Sequence, residues 1–151
     1  MTPEQRDQIV SIIAENNDLT LATLRKDGYP QATTVSYASD GLTIYFGTMG
    51  ASQKAKNIAF CDKVSVAIDC PYNKWEEIRS VSLGGKAHVV KDADEFEKAS
   101  KLLMKKFPQA AKYESEFEAE MEDFVFIRIE PEVISLLDYR KGFGHTELVE
   151  V

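Results

Sequence analysis

Leu19-Thr20-Leu21-Ala22-Thr23-Leu24, the turn Lys26-Asp27-Gly28-Tyr29-Pro30, the run from Gln31 to Tyr37, the turn Ser39-Asp40-Gly41 and the run Leu42-Thr43-Ile44-Tyr45-Phe46 follow one another without a break. The first and last runs alternate apolar and polar residues, the period of a strand with one face buried. Asp-Gly between the first two supplies the positive backbone angles of a tight hairpin turn. Two short turns in a row leave no room for a crossover helix, so the three strands are antiparallel neighbours.

Working outward, Thr2-Pro3-Glu4 is a helix entry, with a threonine cap, proline in the first turn and an acid near the positive end of the dipole. Ile9, Val10, Ile12 and Ile13 follow at helical spacing and Asn16-Asn17-Asp18 ends the run. On the other side, Ser52 to Phe60 reads as a helix, and Val64, Val66 and Ile68 alternate as a strand. A longer strand is predicted over Ile78 to Val90, with a bulge or bend at Gly84-Gly85. Asp92-Ala93-Asp94-Glu95 opens a second amphipathic helix carrying Phe96, Ala99, Leu102, Leu103 and Phe107, stopped by Pro108. Phe124 to Ile129 and Val133 to Leu137 are predicted strands, interrupted at Glu130-Pro131. The expectation is one domain over residues 1–151, mainly β: an antiparallel barrel with helices on its outside, the alternative being an open α+β sandwich.

Composition narrows the partners. The 151 residues carry a formal net charge of −7, so broad attraction to nucleic acid or an anionic membrane is not expected. No apolar run is long enough to span a bilayer, and the N-terminus lacks a signal-peptide pattern. Cys61 and Cys70 have neither metal nor redox spacing and read as reduced thiols of a cytoplasmic protein. His88 and His145 stand far apart with no ligand-spaced partner, which argues against a metal enzyme. A phosphate loop, a Gly-x-Ser-x-Gly elbow and a full dinucleotide fingerprint are absent; Gly142-Phe143-Gly144 is only a fragment of the last. The acidic stretch Glu114–Asp123 reads as a solvated helix face.

One segment does point to a ligand. Thr48-Met49-Gly50-Ala51-Ser52-Gln53-Lys54-Ala55-Lys56-Asn57 joins a strand to a helix through small residues and hydroxyls, with a lysine in the helix's first turn. Free amide N–H groups, the helix dipole and one mobile cation make a local anion trap in an acidic protein. Lys54 and Asn57 are three apart and lie near one another on the helix. Lys56 reads as an exposed, solubilising lysine.

The order of these pieces resembles the pyridoxamine 5′-phosphate oxidase-like proteins. The matching motifs are Asp27-Gly28-Tyr29-Pro30, Thr33-Thr34-Val35-Ser36-Tyr37, Asp40 to Thr48, Ser52-Gln53-Lys54-Ala55-Lys56-Asn57-Ile58 and Val64-Ser65-Val66. Further on, Arg79 to Ala87 resembles the family's long strand with its glycine bend, and Asp138 to His145 the tail of its smaller members. The resemblance spans about residues 4–145 and implies an FMN-binding split β-barrel, a homodimer with flavin between subunits.

It also implies a set of cofactor-binding residues. Ser52, Gln53 and Lys54 would hold the FMN phosphate with Thr48 beside them. Thr33, Thr34, Val35 and Ser36 would line the isoalloxazine, and Tyr45, Phe46 and Gly47 would approach the ribityl chain. Ser80 would reach the flavin of the second subunit, Trp75 would stand at an interface, in the core or beside the flavin, and the tail would bring Phe143 and His145 toward the flavin, His145 being the one catalytic candidate. Two departures matter: pyridoxamine phosphate oxidases proper carry arginines where this chain has Thr33 and Gln53, and their C-terminal tryptophan-and-arginine substrate region is missing. The expected function is an FMN-dependent oxidoreductase with an unnamed small redox substrate. The alternatives are a noncatalytic flavin carrier or sensor, a binder of F420 or haem, or a barrel that has lost its cofactor.

Overall fold

The computed structural model describes residues 1–113 and 121–151, so most of the acidic stretch lies outside the described residues. Eight strands form one antiparallel sheet: β1 (Asp18–Leu24), β2 (Pro30–Ser36), β3 (Ala38–Asp40), β4 (Thr43–Met49), β5 (Lys63–Asp69), β6 (Arg79–Val89), β7 (Phe124–Asp138) and β8 (Thr146–Glu150). The sheet order is β2-β1-β5-β6-β7-β4-β3, with β8 on the far half of β7. The sheet curls into an open half-barrel flanked by helices, the split-barrel form expected.

Register makes the interior. Leu19, Leu21 and Thr23 of β1 face the same way as Val35, Thr33 and Gln31 of β2, with which they pair. Ala32, Thr34 and Ser36 turn outward and are exposed. Leu19, Leu21, Ile44, Phe46, Val66, Ile68, Val81, Leu83, Ile127 and Ile129 form one continuous buried cluster. Helix α1 (Pro3–Glu15) adds Ile9, Ile12 and Ile13 to it, and its entry is a full capping box between Thr2 and Gln5. A second, smaller cluster lies on the outer face of β4 and β7, where Tyr45 and Phe126 pack under Ala99 and Phe96 of helix α3 (Ala93–Lys106).

Two elements differ from expectation. β7 does not break at Glu130-Pro131 but runs for 15 residues. Pro131 lies opposite Gly85, where the register of β6 slips between Gly84 and Gly85, so its missing N–H falls where the ladder is already irregular. A Cβ on Gly85 would sit 2.3 Å from the Glu130 carbonyl oxygen, so only glycine lets the strands approach there. β3 and β8 are additional: Ser39-Asp40 belongs to a short strand as well as to a turn, and the tail returns to pair with β7.

The end of β7 carries a buried charge. Asp138 is 2% exposed and accepts from the Arg140 backbone N–H at 3.1 Å, from its Nε at 2.8 Å and from its Nη2 at 2.7 Å. Those bonds to Arg140 hold the carboxyl below its ordinary range, against the opposing effect of burial. A depressed folded-state pKa contributes stability above the unfolded value, about 3.9, and loses it as pH falls through the folded value. Asp138→Asn is therefore expected to cost about 1 kcal/mol at neutral pH, discounted because Arg140 is half exposed. It should also flatten the acid limb of a stability–pH curve measured by urea unfolding; an unchanged limb would contradict the assignment.

Candidate functional site

The sheet leaves two free edges. β2 pairs only with β1, and the Phe46–Met49 half of β4 pairs only with β7 among the described residues. Ser36 of β2 and Gly47 of β4 line one cavity, so the two edges approach across a cleft. Helix α2 (Gln53–Phe60) begins just beyond β4.

The start of α2 is assembled from the anion-trap segment. Ser52 is the cap: its Oγ accepts from the Ala55 N–H at 3.3 Å and lies 2.9 Å from Thr48 Oγ1, tying the strand end to the helix. The N–H groups of Gln53 and Lys54 have no acceptor among the described residues, as expected for first-turn amides. Lys54 is half-buried and has no ion-pair partner among the described residues. The loop before the helix is held from outside, since Asp123 accepts from Gly50 N–H at its carbonyl and from Ala51 N–H at Oδ2. A Cβ on Gly50 would meet Asp123 Oδ1 at 2.6 Å, a close approach the sequence did not announce.

Asn57 does not share a ligand-facing surface with Lys54. It is 2% exposed, its Nδ2 donates to Thr23 Oγ1 and Gln31 Oε1 at 3.0 Å each, and its Oδ1 accepts from Gln53 Nε2 at 2.8 Å. This amide fastens α2 to the inner face of β1 and β2. One residue pair along β2 from Gln31, Thr33 points the same way, and its Oγ1 is buried without any hydrogen-bond partner. A buried hydroxyl left unpaired costs about 1–3 kcal/mol. Lys56 lines an open basin beside α2 together with Gln53, Asn57, Arg25, Lys26 and Phe60.

The remaining cofactor candidates divide by strand periodicity. Phe46 is fully buried in the barrel core and Tyr45, 3% exposed, is sealed under α3, so each offers the cleft only its backbone. Gly47 is open to the cleft, and the Phe124 ring lies where its Cβ would be, 2.3 Å away. Thr34 and Ser36 are exposed on the outer face of β2, with Ser36 Oγ donating to Asp18 Oδ1 at 2.7 Å; Val35 packs against the core.

Residues 5–138 match the pyridoxamine 5′-phosphate oxidase family. The chain belongs to that family. Among curated proteins, none matches it. Solved structures agree in fold: a conserved hypothetical protein of Mycobacterium tuberculosis superposes with a TM-score of 0.79 at 24% identity, covering 97% of this chain and 91% of that one. A haem-binding protein of Mycobacterium smegmatis gives 0.78 at 22% identity, over 99% of this chain and 58% of its own. General Stress Protein 26 of Bacillus anthracis gives 0.68 at 19% identity, over 98% and 99%.

In this pyridoxamine 5′-phosphate oxidase family member, Ser80 and His145 make none of the contacts that join Thr48, Ser52, Gln53 and Asn57. Ser80 is the second residue of β6, paired with Asp69 and Leu137, on the face opposite the core residue Val81. His145 Nε2 lies 3.4 Å from Glu147 Oε2, and its carbonyl accepts from the Asp138 N–H at 3.0 Å. Glu147 is itself held below the usual carboxylate range, first by Gln5 and then by Lys141. Trp75 is 64% exposed and Phe143 80% exposed, their ring centroids 6.2 Å apart.

Proposed function

We propose that this family member binds FMN in the cleft between β2 and β4 and works as a flavin-dependent oxidoreductase. The observation that carries the reading is the start of α2: two amides without an acceptor among the described residues, a capped helix end and a half-buried Lys54 without an ion-pair partner among them, on a helix that Asn57 fastens to the strand face carrying the orphaned Thr33 hydroxyl. A phosphate of about −2 charge needs charge-assisted donors to leave water, and this cluster offers them. The residues therefore fit the group.

FMN, when bound, supplies two-electron transfer; orientation and access fall to the chain. Lys54 would supply the charge opposite the phosphate and the Gln53 and Lys54 amides would donate to it, Thr48 and Ser52 fix the helix start that presents them, and Thr33 Oγ1 is a buried hydroxyl open to a ligand acceptor or donor. Gly47 and the Phe124 ring form the outer lip. Among the described residues no side chain at the cleft is placed as a general acid or base.

The homodimer belongs to the same proposal. Trp75, Phe143 and Leu148 are large apolar side chains left mostly in water, more than a lone monomer has reason to expose. The test is the visible spectrum of the protein after soaking in FMN and desalting, with the mass measured in solution. A retained flavin band is expected, and a colourless protein would sink the proposal.

A second reading, haem, is favoured by the fold shared with the mycobacterial haem-binding protein. Against it, no group of three or more His, Cys, Asp or Glu comes together among the described residues, and the chain has only two histidines. The same soak with hemin separates the readings by its intense near-ultraviolet band, and with the deazaflavin F420 by its distinct visible band.

A further inference from the structure

We infer that the basin between α2 and the β1–β2 turn binds a nucleoside phosphate, its phosphates against Arg25 and Lys56 and its base on the Phe60 ring. The basin, about 680 Å³, has the size of a small-molecule site. It is lined by none of Thr33, Thr48, Ser52 and Lys54, and by neither Ser36 nor Gly47 of the cleft.

Charge comes first. In a chain of net charge −7, Arg25, Lys26 and Lys56 line this hollow, with Asp27 the one acid among the described residues. That acid is already engaged, accepting at Oδ2 from Arg25 Nε at 3.1 Å and from Nη2 at 3.0 Å. Lys26 and Lys56 have no ion-pair partner among the described residues. The turn that carries two of the cations is stiff. Asp27 Oδ1 accepts from the Tyr29 N–H, the Arg25 N–H donates to the Tyr29 carbonyl, and the Arg25 carbonyl accepts from the Gly28 N–H. A preset guanidinium and two unpaired ammonium groups around one concavity suit an anion of more than one charge, as a diphosphate is.

Phe60 supplies the other half. It ends α2 with 49% of its surface in water, and Lys26 Nζ lies 5.9 Å from its ring centroid. A planar base laid on that ring gains stacking and a cation–π contact with Lys26. The helix sets the direction of the occupant. Phe60 stands at the negative end of the α2 dipole, which repels phosphate, so the phosphates lie toward Lys56 and Arg25. Gln53 spends its Nε2 on Asn57 and keeps Oε1 as an acceptor for a ribose hydroxyl. Two sources carry this chemistry: a separate nucleotide, or the adenylate half of a dinucleotide flavin. Only the second rests on the flavin reading, since Gln53 joins the basin to the helix start where the flavin phosphate is proposed.

The test is calorimetric titration of the apoprotein with ADP, and with pyrophosphate as the comparator that lacks a base. ADP is expected to bind at least about fivefold tighter than pyrophosphate, and Phe60→Leu should remove that difference. Lys56→Ala should weaken both ligands at least about fivefold, while FMN affinity stays within about threefold. Both side chains are exposed, so neither substitution empties the core. Absence of ADP binding at millimolar concentration, indifference to both variants, or equal affinity for ADP and pyrophosphate in the parent would overturn the proposal. So would displacement of ADP by saturating FMN, which would make the basin the flavin's own phosphate site. The two sources separate with FAD. Binding of FAD tighter than FMN, weakened by Lys56→Ala where FMN is not, gives the basin to the far half of the flavin. ADP bound undiminished to the FMN-loaded protein, with FAD no tighter than FMN, gives it to a separate nucleotide. If neither flavin binds, the flavin reading falls, and the ADP titration still decides what the basin holds.

Discussion

Asn57→Ala is expected to lower the unfolding free energy by about 3 kcal/mol and to weaken cofactor binding although Asn57 touches no proposed ligand group. Its amide is buried and fully used: two bonds go out from Nδ2 to Thr23 and Gln31, and one comes in from Gln53. Of the partners left behind, Gln53 reaches water, Gln31 is partly exposed, and Thr23 is 3% exposed. The Thr23 hydroxyl would lose its donor in a dry place, and the vacated amide volume adds a cavity penalty. The largest share of the loss thus comes from one orphaned hydroxyl, not from three equal bonds. Gln53→Ala, which removes only the partly exposed arm, should cost no more than about 1 kcal/mol. Urea unfolding of both variants measures the difference; a loss below about 0.5 kcal/mol for Asn57→Ala would mean that the network does not fasten α2 to the sheet.

That network also shows where sequence reading stops. Strand periodicity and Asp-Gly chemistry reveal β1, β2 and β4, and paired glycines reveal the bulge in β6, because these signals are local. Helix starts at Thr2, Ser52 and Asp92 are legible for the same reason, each side-chain oxygen accepting from an amide three residues on. Asn57 carries no such signal. Three residues from Lys54, it reads as a second ligand-facing polar group, yet the two acceptors of its Nδ2 are 34 and 26 residues away in sequence. Proline at 131 argues for a strand end until the slip opposite Gly85 is known, and that slip depends on another strand. Thr-Glu-Leu-Val-Glu at the tail alternates too briefly to declare a strand without the free edge of β7 beside it. The aromatic lining of the cleft is likewise hidden, since Phe96 and Phe107 read as ordinary core positions of a helix and Phe124 and Phe126 as ordinary strand residues. Only the packing of α3 across β4 shows a space between them.

Lys54→Ala should raise the FMN dissociation constant by about 10- to 100-fold, whereas Lys56→Ala should change it less than about threefold. The two lysines are separated by two residues, about 200° around the helix, so they cannot serve one phosphate equally. Lys54 is half-buried at the first turn, beside amides that have no acceptor among the described residues; Lys56 is exposed and looks into the basin with Arg25 and Lys26. Position decides the size of the effect. An ammonium at the helix's first turn is opposed by the positive end of the dipole while the site is empty and relieved of that opposition when an anion arrives, so its pairing with phosphate gains more than a surface contact would. The chain also has fewer cations to share the task, because Thr33 and Gln53 stand where fuller members of the family carry arginines. A single remaining charge makes the loss on its removal larger. Lys54→Arg, which keeps the charge and adds a fork of donors, should restore binding to within a few-fold of the parent. Fluorescence titration of FMN against the three variants reads all of this. Equal and negligible effects at 54 and 56 would remove the phosphate from α2, and a dominant effect at 56 would move it to the basin beside α2.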